Sequence, residues 1–251
     1  MPQHAYLDHP YPIPFAHRGG AATGVENALS AFAEVQRLGY RYVETDVRTT
    51  ADGVPVVFHD DHVGRLTGAD GRISALPLPA VRSLALAGGE RIATLEEVLG
   101  SFPDLRFNID LKDEGGVLGV PPVLRRTAAS DRVCVTSFAE RRIRRVRRRL
   151  DPAVCTGLGV GGVALLLAGG LVGRPYCRAA GVLQVPWSLG GGRTLPARVV
   201  HIGHAARLAV HVWTVDDPGQ MRAALDMGVD GVMTDQPGLL RDVLIDRGQW
   251  A

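Results

Sequence analysis

Strand-length apolar runs alternate with helix-like segments along almost the whole chain, and that alternation leaves few folds open. The runs span 13–17, 41–47, 54–59, 105–112, 132–138, 153–159, 181–186, 208–215 and 230–234, and most are rich in β-branched residues. The segments between them carry helix punctuation. Segment 28–39 ends at Gly39, 94–102 opens with Thr94 and places Glu97 three residues on, 216–228 ends at Gly228, and 237–248 opens with Pro237. Strands separated by helices pair in parallel through crossovers. Eight or nine such strands in 251 residues predict an α/β fold, a (β/α)8 TIM barrel. The expected organisation is one domain over residues 12–251, preceded by an N-terminal arm over 1–11. No GxGxxG turn follows the first run, which disfavours a doubly wound dinucleotide-binding sheet. Residues 60–93, punctuated by Gly64, Gly68, Gly71, Pro77 and Pro79, predict a longer excursion between strand and helix.

Composition narrows the class. A chain that is 46% hydrophobic and 22% charged is a folded protein rather than a disordered one. Cys134, Cys155 and Cys177 are odd in number and form no CxxC pair, which argues against a disulfide scaffold or a cysteine zinc site. With no basic and apolar leader in residues 1–15, the expected compartment is the reducing cytoplasm. Residues 153–173 carry no charge but seven glycines, so they predict a strand–loop–helix passage rather than a membrane span. The run from Arg141 to Arg149 is interrupted by Ile143 and Val146 and followed by Leu150, an apolar stripe at helical spacing. The arginines are then the solvated outer face of a barrel helix. A nucleic-acid or anionic-membrane patch is the competing reading, and no nucleic-acid partner is expected.

The chemistry is concentrated at strand ends. Glu44 and Asp46 stand one residue apart on a strand and point to the same face. At about 4 Å and an effective dielectric near 20, their repulsion is on the order of 4 kcal/mol. A hard divalent cation with oxygen ligands would offset it, and rim arginines are the alternative. Asn108, Asp110 and Lys112 alternate with apolar residues and share a second face. Asp110 could complete a three-carboxylate set with Glu44 and Asp46, and Lys112 could hold an anionic substrate beside it. A self-contained Asp110–Lys112 ion pair is disfavoured because Lys112 is the single lysine among 28 basic residues. His17 and His59 close two runs and can give and take a proton in one reaction. His62, His201, His204 and His211 lack such context and read as structural or exposed, and His4 and His9 have no assigned role. Trp213, a large ring at a strand end, suits a pocket wall; Phe138 and Trp187 are similarly placed. Asp235 reads as an anchor for the last helix, outside the catalytic set.

Taken in order, these residues resemble the glycerophosphodiester phosphodiesterase family. The resemblance rests on Ala16-His17-Arg18-Gly19, Glu26-Asn27, Glu44-Thr45-Asp46, His59-Asp60, Asn108-Ile109-Asp110-Leu111-Lys112, Val212-Trp213-Thr214-Val215, and Asp230-Gly231 with Thr234-Asp235-Gln236-Pro237. Their order and spacing extend it over about residues 12–245. It implies a TIM barrel with one divalent cation, Mg2+ or Ca2+, held by Glu44, Asp46 and Asp110. It implies His17 and His59 as the acid/base pair, Arg18 and Lys112 on the phosphate, and Trp213 lining the substrate pocket. The implied reaction is hydrolysis of a small-molecule glycerophosphodiester to glycerol 3-phosphate and an alcohol. A lysophospholipase D-like reaction on lipid-derived diesters is the alternative. Family members commonly carry glutamate where Asp110 stands, whereas the related sphingomyelinase D-like enzymes use aspartate. Three carboxylates and the diester bring four negative charges, which a divalent cation, Arg18 and Lys112 would balance. A barrel that uses its arginine helix as a binding surface is the non-enzymatic alternative, and it predicts no metal dependence.

Overall fold

A computed structural model describes residues 4–20, 25–173, 177 and 180–251. Among the described residues, nine strands form one sheet: β1 (Ile13–Ala16), β2 (Tyr42–Thr49), β3 (Pro55–Val57), β4 (Arg106–Leu111), β5 (Val133–Thr136), β6 (Cys155–Thr156), β7 (Val182–Pro186), β8 (Ala209–Trp213) and β9 (Gly231–Thr234). Eight are parallel, in the order β6-β5-β4-β2-β1-β9-β8-β7. The Gly157–Val182 bridge joins the two ends of this path and completes the (β/α)8 barrel.

All nine expected runs contain strands, but β3 leaves the ring and pairs antiparallel with β2. The cause is local. The Thr50 N–H donates to the Val54 carbonyl at 3.0 Å and Gly53 adopts a positive φ of 83°. A connection this short can turn the chain back on itself but cannot carry it across the sheet to a parallel neighbour.

Ten helices among the described residues surround the strands: α1 (Leu29–Arg37), α2 (Gly64–Thr67), α3 (Leu78–Arg82), α4 (Leu95–Ser101), α5 (Gly116–Arg126), α6 (Glu140–Arg147), α7 (Val160–Leu171), α8 (Ala197–Ala205), α9 (Pro218–Asp226) and α10 (Pro237–Asp246). The Thr94/Glu97 capping box is formed in both directions at the start of α4. The excursion after β3 holds α2, α3 and two 3-10 turns. Residues 153–173 make β6 and α7, and among the described residues no helix is long and apolar enough to cross a membrane.

The floor of the barrel is closed from below. Ala5–Leu7 form a 3-10 turn whose Tyr6 is fully buried beside Ile13, Cys134, Cys155 and Val182, all at strand beginnings. Tyr42 Oη and Arg106 Nη1 donate to the Tyr6 carbonyl at 2.8 and 3.1 Å, tying residues 4–8 to the strands above; residues 1–3 of the expected arm lie outside the described residues. This plug leaves the opposite end, where the strands finish, as the open mouth.

The arginine helix departs from its expected role. Ile143 and Val146 are buried as the stripe requires, and Arg141, Arg144 and Arg148 are exposed. Arg142 and Arg147 instead turn inward. Arg142 Nη1 donates to the Leu111 carbonyl and Ser137 Oγ at 2.8 and 2.9 Å, and Arg147 donates to Thr156 Oγ1 and the Gly157 carbonyl, both at 2.9 Å. Their positions flank the stripe, so their long stems reach past it to strand-end acceptors that only the barrel brings near.

Candidate active site

The ladder sets the site. β2 and β4 pair in parallel with Glu44 beside Asn108 and Asp46 beside Asp110. Side chains at i and i+2 share a face, so two polar layers project into the barrel, the upper one nearer the mouth. His17, Arg18, His59, Lys112, Phe138 and Trp213 join them around one cavity of about 620 Å³. Every residue assigned to the site from the sequence lines this cavity, although the residues come from five strand ends.

Each histidine is oriented by a carboxylate. His17 Nδ1 donates to Asp235 Oδ1 at 2.7 Å, and its Nε2 lies 3.6 Å from Glu44 Oε2. His59 Nδ1 donates to Asp60 Oδ1 at 2.6 Å. With Nδ1–H committed to a carboxylate, the neutral ring presents the Nε2 lone pair. Burial alone would lower the pKa of His17, but Glu44 and Asp235 outweigh it and raise it. A bond from Arg65 Nε at 2.5 Å, more than the one from His59, lowers the Asp60 carboxyl to about 2.

The positive groups are also held. Arg18, at a left-handed φ of 54°, places Nε 3.2 Å from Asp46 Oδ2 and donates from Nη1 to Glu26 Oε1 at 3.1 Å. Glu26 in turn accepts from Arg65 Nη2 at 2.6 Å. Asn27 Nδ2 donates to Asp46 Oδ2 at 3.0 Å, while Thr45 Oγ1 donates to Asn27 Oδ1 at 2.7 Å. Thus Thr45, on the opposite face of β2 from its two acidic neighbours, indirectly fixes one of them.

Lys112 does what the sequence reading disfavoured. Its Nζ lies 2.6 Å from Asp110 Oδ2 and 2.8 Å from Asp46 Oδ1, bridging the two carboxylates of the upper layer. The direct pairing of Asp46 with Asp110 across the ladder explains this: one flexible ammonium can satisfy both. Burial would lower the Lys112 pKa, but the two carboxylates raise it overall. Among the described residues, no three His, Cys, Asp or Glu side chains converge as a ready-made metal cluster.

The acids nevertheless fit a hard cation. Burial, and then the charge of Asp46, push Glu44 up to about 8. Asp110 Oδ1 is buried and accepts no hydrogen bond. Burial raises Asp110, whereas Lys112 and Arg18 overcome burial at Asp46 and lower it. A buried Glu44 raised that far beside the Asp46 carboxylate, with Asp110 Oδ1 left without a hydrogen bond, is the oxygen-rich environment that a divalent cation stabilises.

Below them, Gln184 Nε2 donates to Asn108 Oδ1 at 2.8 Å and reaches His211 Nδ1 at 3.3 Å, a polar chain across the barrel. Phe138 is 56% exposed and meets Trp213 edge-on with ring centroids 5.5 Å apart, whereas Trp187 is buried in the core. Sequence reasoning missed Asp235 as the partner of His17, Asp60 as the partner of His59, and Glu26 and Arg65 behind Arg18. Asp60 directly follows its histidine and was the most accessible of these from the sequence. Asp235 lies 218 positions from His17, and no local pattern connects them.

The model of the Glycerophosphoryl diester phosphodiesterase family matches residues 17–239. The chain is 43% identical over 252 residues to Probable glycerophosphodiester phosphodiesterase 2 of Mycobacterium tuberculosis, covering 98% of this chain and 95% of that one. It is 27% identical to Lysophospholipase D GDPD1 of Mus musculus, covering 91% and 85% of the two chains. A solved structure of an Oleispira antarctica phosphodiesterase in complex with the product sn-glycerol-3-phosphate shares the fold with a TM-score of 0.80 at 24% identity, covering 94% and 97%.

Proposed function

Because the chain belongs to the glycerophosphoryl diester phosphodiesterase family, we propose that it hydrolyses glycerophosphodiesters to glycerol 3-phosphate and an alcohol, with His17 and His59 as the proton-transfer pair. The observation that carries this reading is that both imidazoles face one cavity, each with Nδ1 on its own carboxylate. Asp235 and Asp60 hold the rings and stabilise the charged form as a proton arrives at Nε2. His17, whose pKa is raised, suits the donor to the departing alkoxide. His59 takes the proton of the nucleophile as it attacks: water, which gives glycerol 3-phosphate directly, or the substrate's own glycerol hydroxyl, which gives a cyclic phosphate that water then opens with the two histidine roles reversed. Arg18 and Lys112 place positive charge where negative charge grows on the phosphoryl oxygens. Trp213 and Phe138 supply an aromatic wall for the substrate's carbon skeleton.

Glu44 and Asp46, with Asp110 as the third acid, would hold one divalent cation, Mg2+ or Ca2+. When bound, it would polarise a phosphoryl oxygen and offset the crowded carboxylates. The free thiols Cys134 and Cys155, neighbours across β5 and β6, suit a reducing cytoplasm.

The test is turnover of glycerophosphocholine. His17→Ala and His59→Ala are expected to stay folded and to lose roughly 100- to 10,000-fold in kcat. A chelator is expected to abolish activity, and Mg2+ or Ca2+ to restore it. Near-wild-type turnover in either alanine variant refutes the acid/base pair, and full activity under chelation refutes the metal.

One observation favours a second reading, a lysophospholipase D-like reaction. Leu158, Val163, Ala164 and Leu167 make one wall of the cavity apolar, as an acyl chain would require. Turnover of lysophosphatidylcholine matching that of glycerophosphocholine would favour it.

A further inference from the structure

α7 carries no charged residue over Val160–Leu171, and Leu166 is its buried side chain. Val163, Ala164 and Leu167 face the catalytic cavity. Leu165, Leu171 and the following Val172 are 71%, 69% and 73% exposed. A helix on the outside of a barrel normally turns a polar face to water. This one presents leucine and valine, and a contiguous apolar surface of that kind marks a contact site.

Its surroundings identify the occupant. α6 packs beside α7, and the Glu140 carboxylate at its start accepts from Gly159 N and Gly162 N at 3.0 and 3.1 Å, locking the two helices together. The outward side of α6 and the turn that follows it expose Arg141, Arg144, Arg148 and Arg149, of which Arg144 reaches Glu140 at 3.3 Å. Exposed Phe138, just before α6, lines the same cavity as Val163 and Leu167 of α7. An apolar helix flanked by arginines complements a surface whose interior is hydrocarbon and whose rim is anionic. Twelve residues of helix span about 18 Å, too short to cross a bilayer but enough to lie in its interface.

We infer that α7 and the arginine face of α6 seat the protein on an anionic lipid bilayer, with the leucines of α7 at the headgroup boundary, the arginines on lipid phosphates and the catalytic cavity beside that contact. The contact is independent of the reaction proposed above, and its readout is binding rather than turnover.

The full chain is mixed with phosphatidylcholine vesicles, with and without phosphatidylglycerol, at physiological salt, and co-sedimentation is measured. The wild type is expected to bind the phosphatidylglycerol vesicles. Leu165→Glu with Leu171→Glu is expected to weaken that binding by about tenfold or more while leaving hydrolysis of soluble glycerophosphocholine unchanged. Arg141→Glu with Arg148→Glu is expected to abolish the preference for phosphatidylglycerol. The inference fails if the wild type does not sediment with anionic vesicles, or if the leucine variant binds them as well as the wild type does. It also fails if light scattering shows a dimer that the leucine variant dissociates, since the face would then belong to a second copy.

Discussion

At the residue scale, Asp235 stands in the Thr234-Asp235-Gln236-Pro237 motif but nothing in the sequence ties it to His17, from which it accepts at 2.7 Å; it is itself positioned by a bond from its own N–H to Asp216 Oδ1 at 2.7 Å. We expect Asp235→Asn to lower kcat on glycerophosphocholine by roughly 100-fold, since an amide cannot stabilise the imidazolium or select its tautomer. KM and melting temperature should barely change, and Asp235→Glu should recover part of the loss. A KM effect with kcat preserved would assign Asp235 to binding instead. Lys112 teaches a related lesson. Its place on the face shared with Asp110 was legible in the alternation of Asn108-Ile109-Asp110-Leu111-Lys112. Its bridge to Asp46 was not, because that depends on which strand lies beside β4.

At the scale of elements, local signals read well where local physics dominates. The capping box at Thr94 and the stripe of Ile143 and Val146 both formed as spacing predicts. The arginines around that stripe did not behave alike, and their difference is measurable. Arg147→Ala removes two charge-assisted bonds to Thr156 and Gly157 and should cost about 1–3 kcal/mol in urea unfolding. Exposed Arg141→Ala should stay within about 0.5 kcal/mol. Equal effects would mean that the inward bonds contribute nothing. β3 shows the opposite limit: its composition is that of any barrel strand, but the short turn before it settles its direction.

At the scale of the whole molecule, ring closure buries His211 completely between Phe15, Gln184 and Gly231. Burial lowers its pKa to about 4, against a small opposing effect of Asp230. The unfolded chain therefore takes up a proton near pH 6.5, while the folded one resists it until about pH 4. Above pH 6.5 the residue is neutral in both states. As pH falls from 6.5 to 4, it should remove roughly 3 kcal/mol of stability. Urea unfolding across that window should show the loss, and His211→Gln should flatten this part of the profile. An unchanged slope in the variant would place the titration elsewhere. In the sequence His211 was one polar residue in an apolar run, and its isolation from water came only with the eight-stranded ring.

What the sequence determined by itself was the set of strands, the helices whose ends or apolar stripes it marks, and the placing of acids, imidazoles and cations at strand ends. Those features depend on residues within a few positions of one another, and a period of two or 3.6 encodes them directly. Tertiary structure decided which strand became the neighbour of which, and so the partners: Asp235 for His17, Asn27 for Asp46, and Lys112 for two acids at once. These pairs join distant parts of the chain, and their geometry exists only after the barrel closes and exchanges water for protein dipoles around each buried charge.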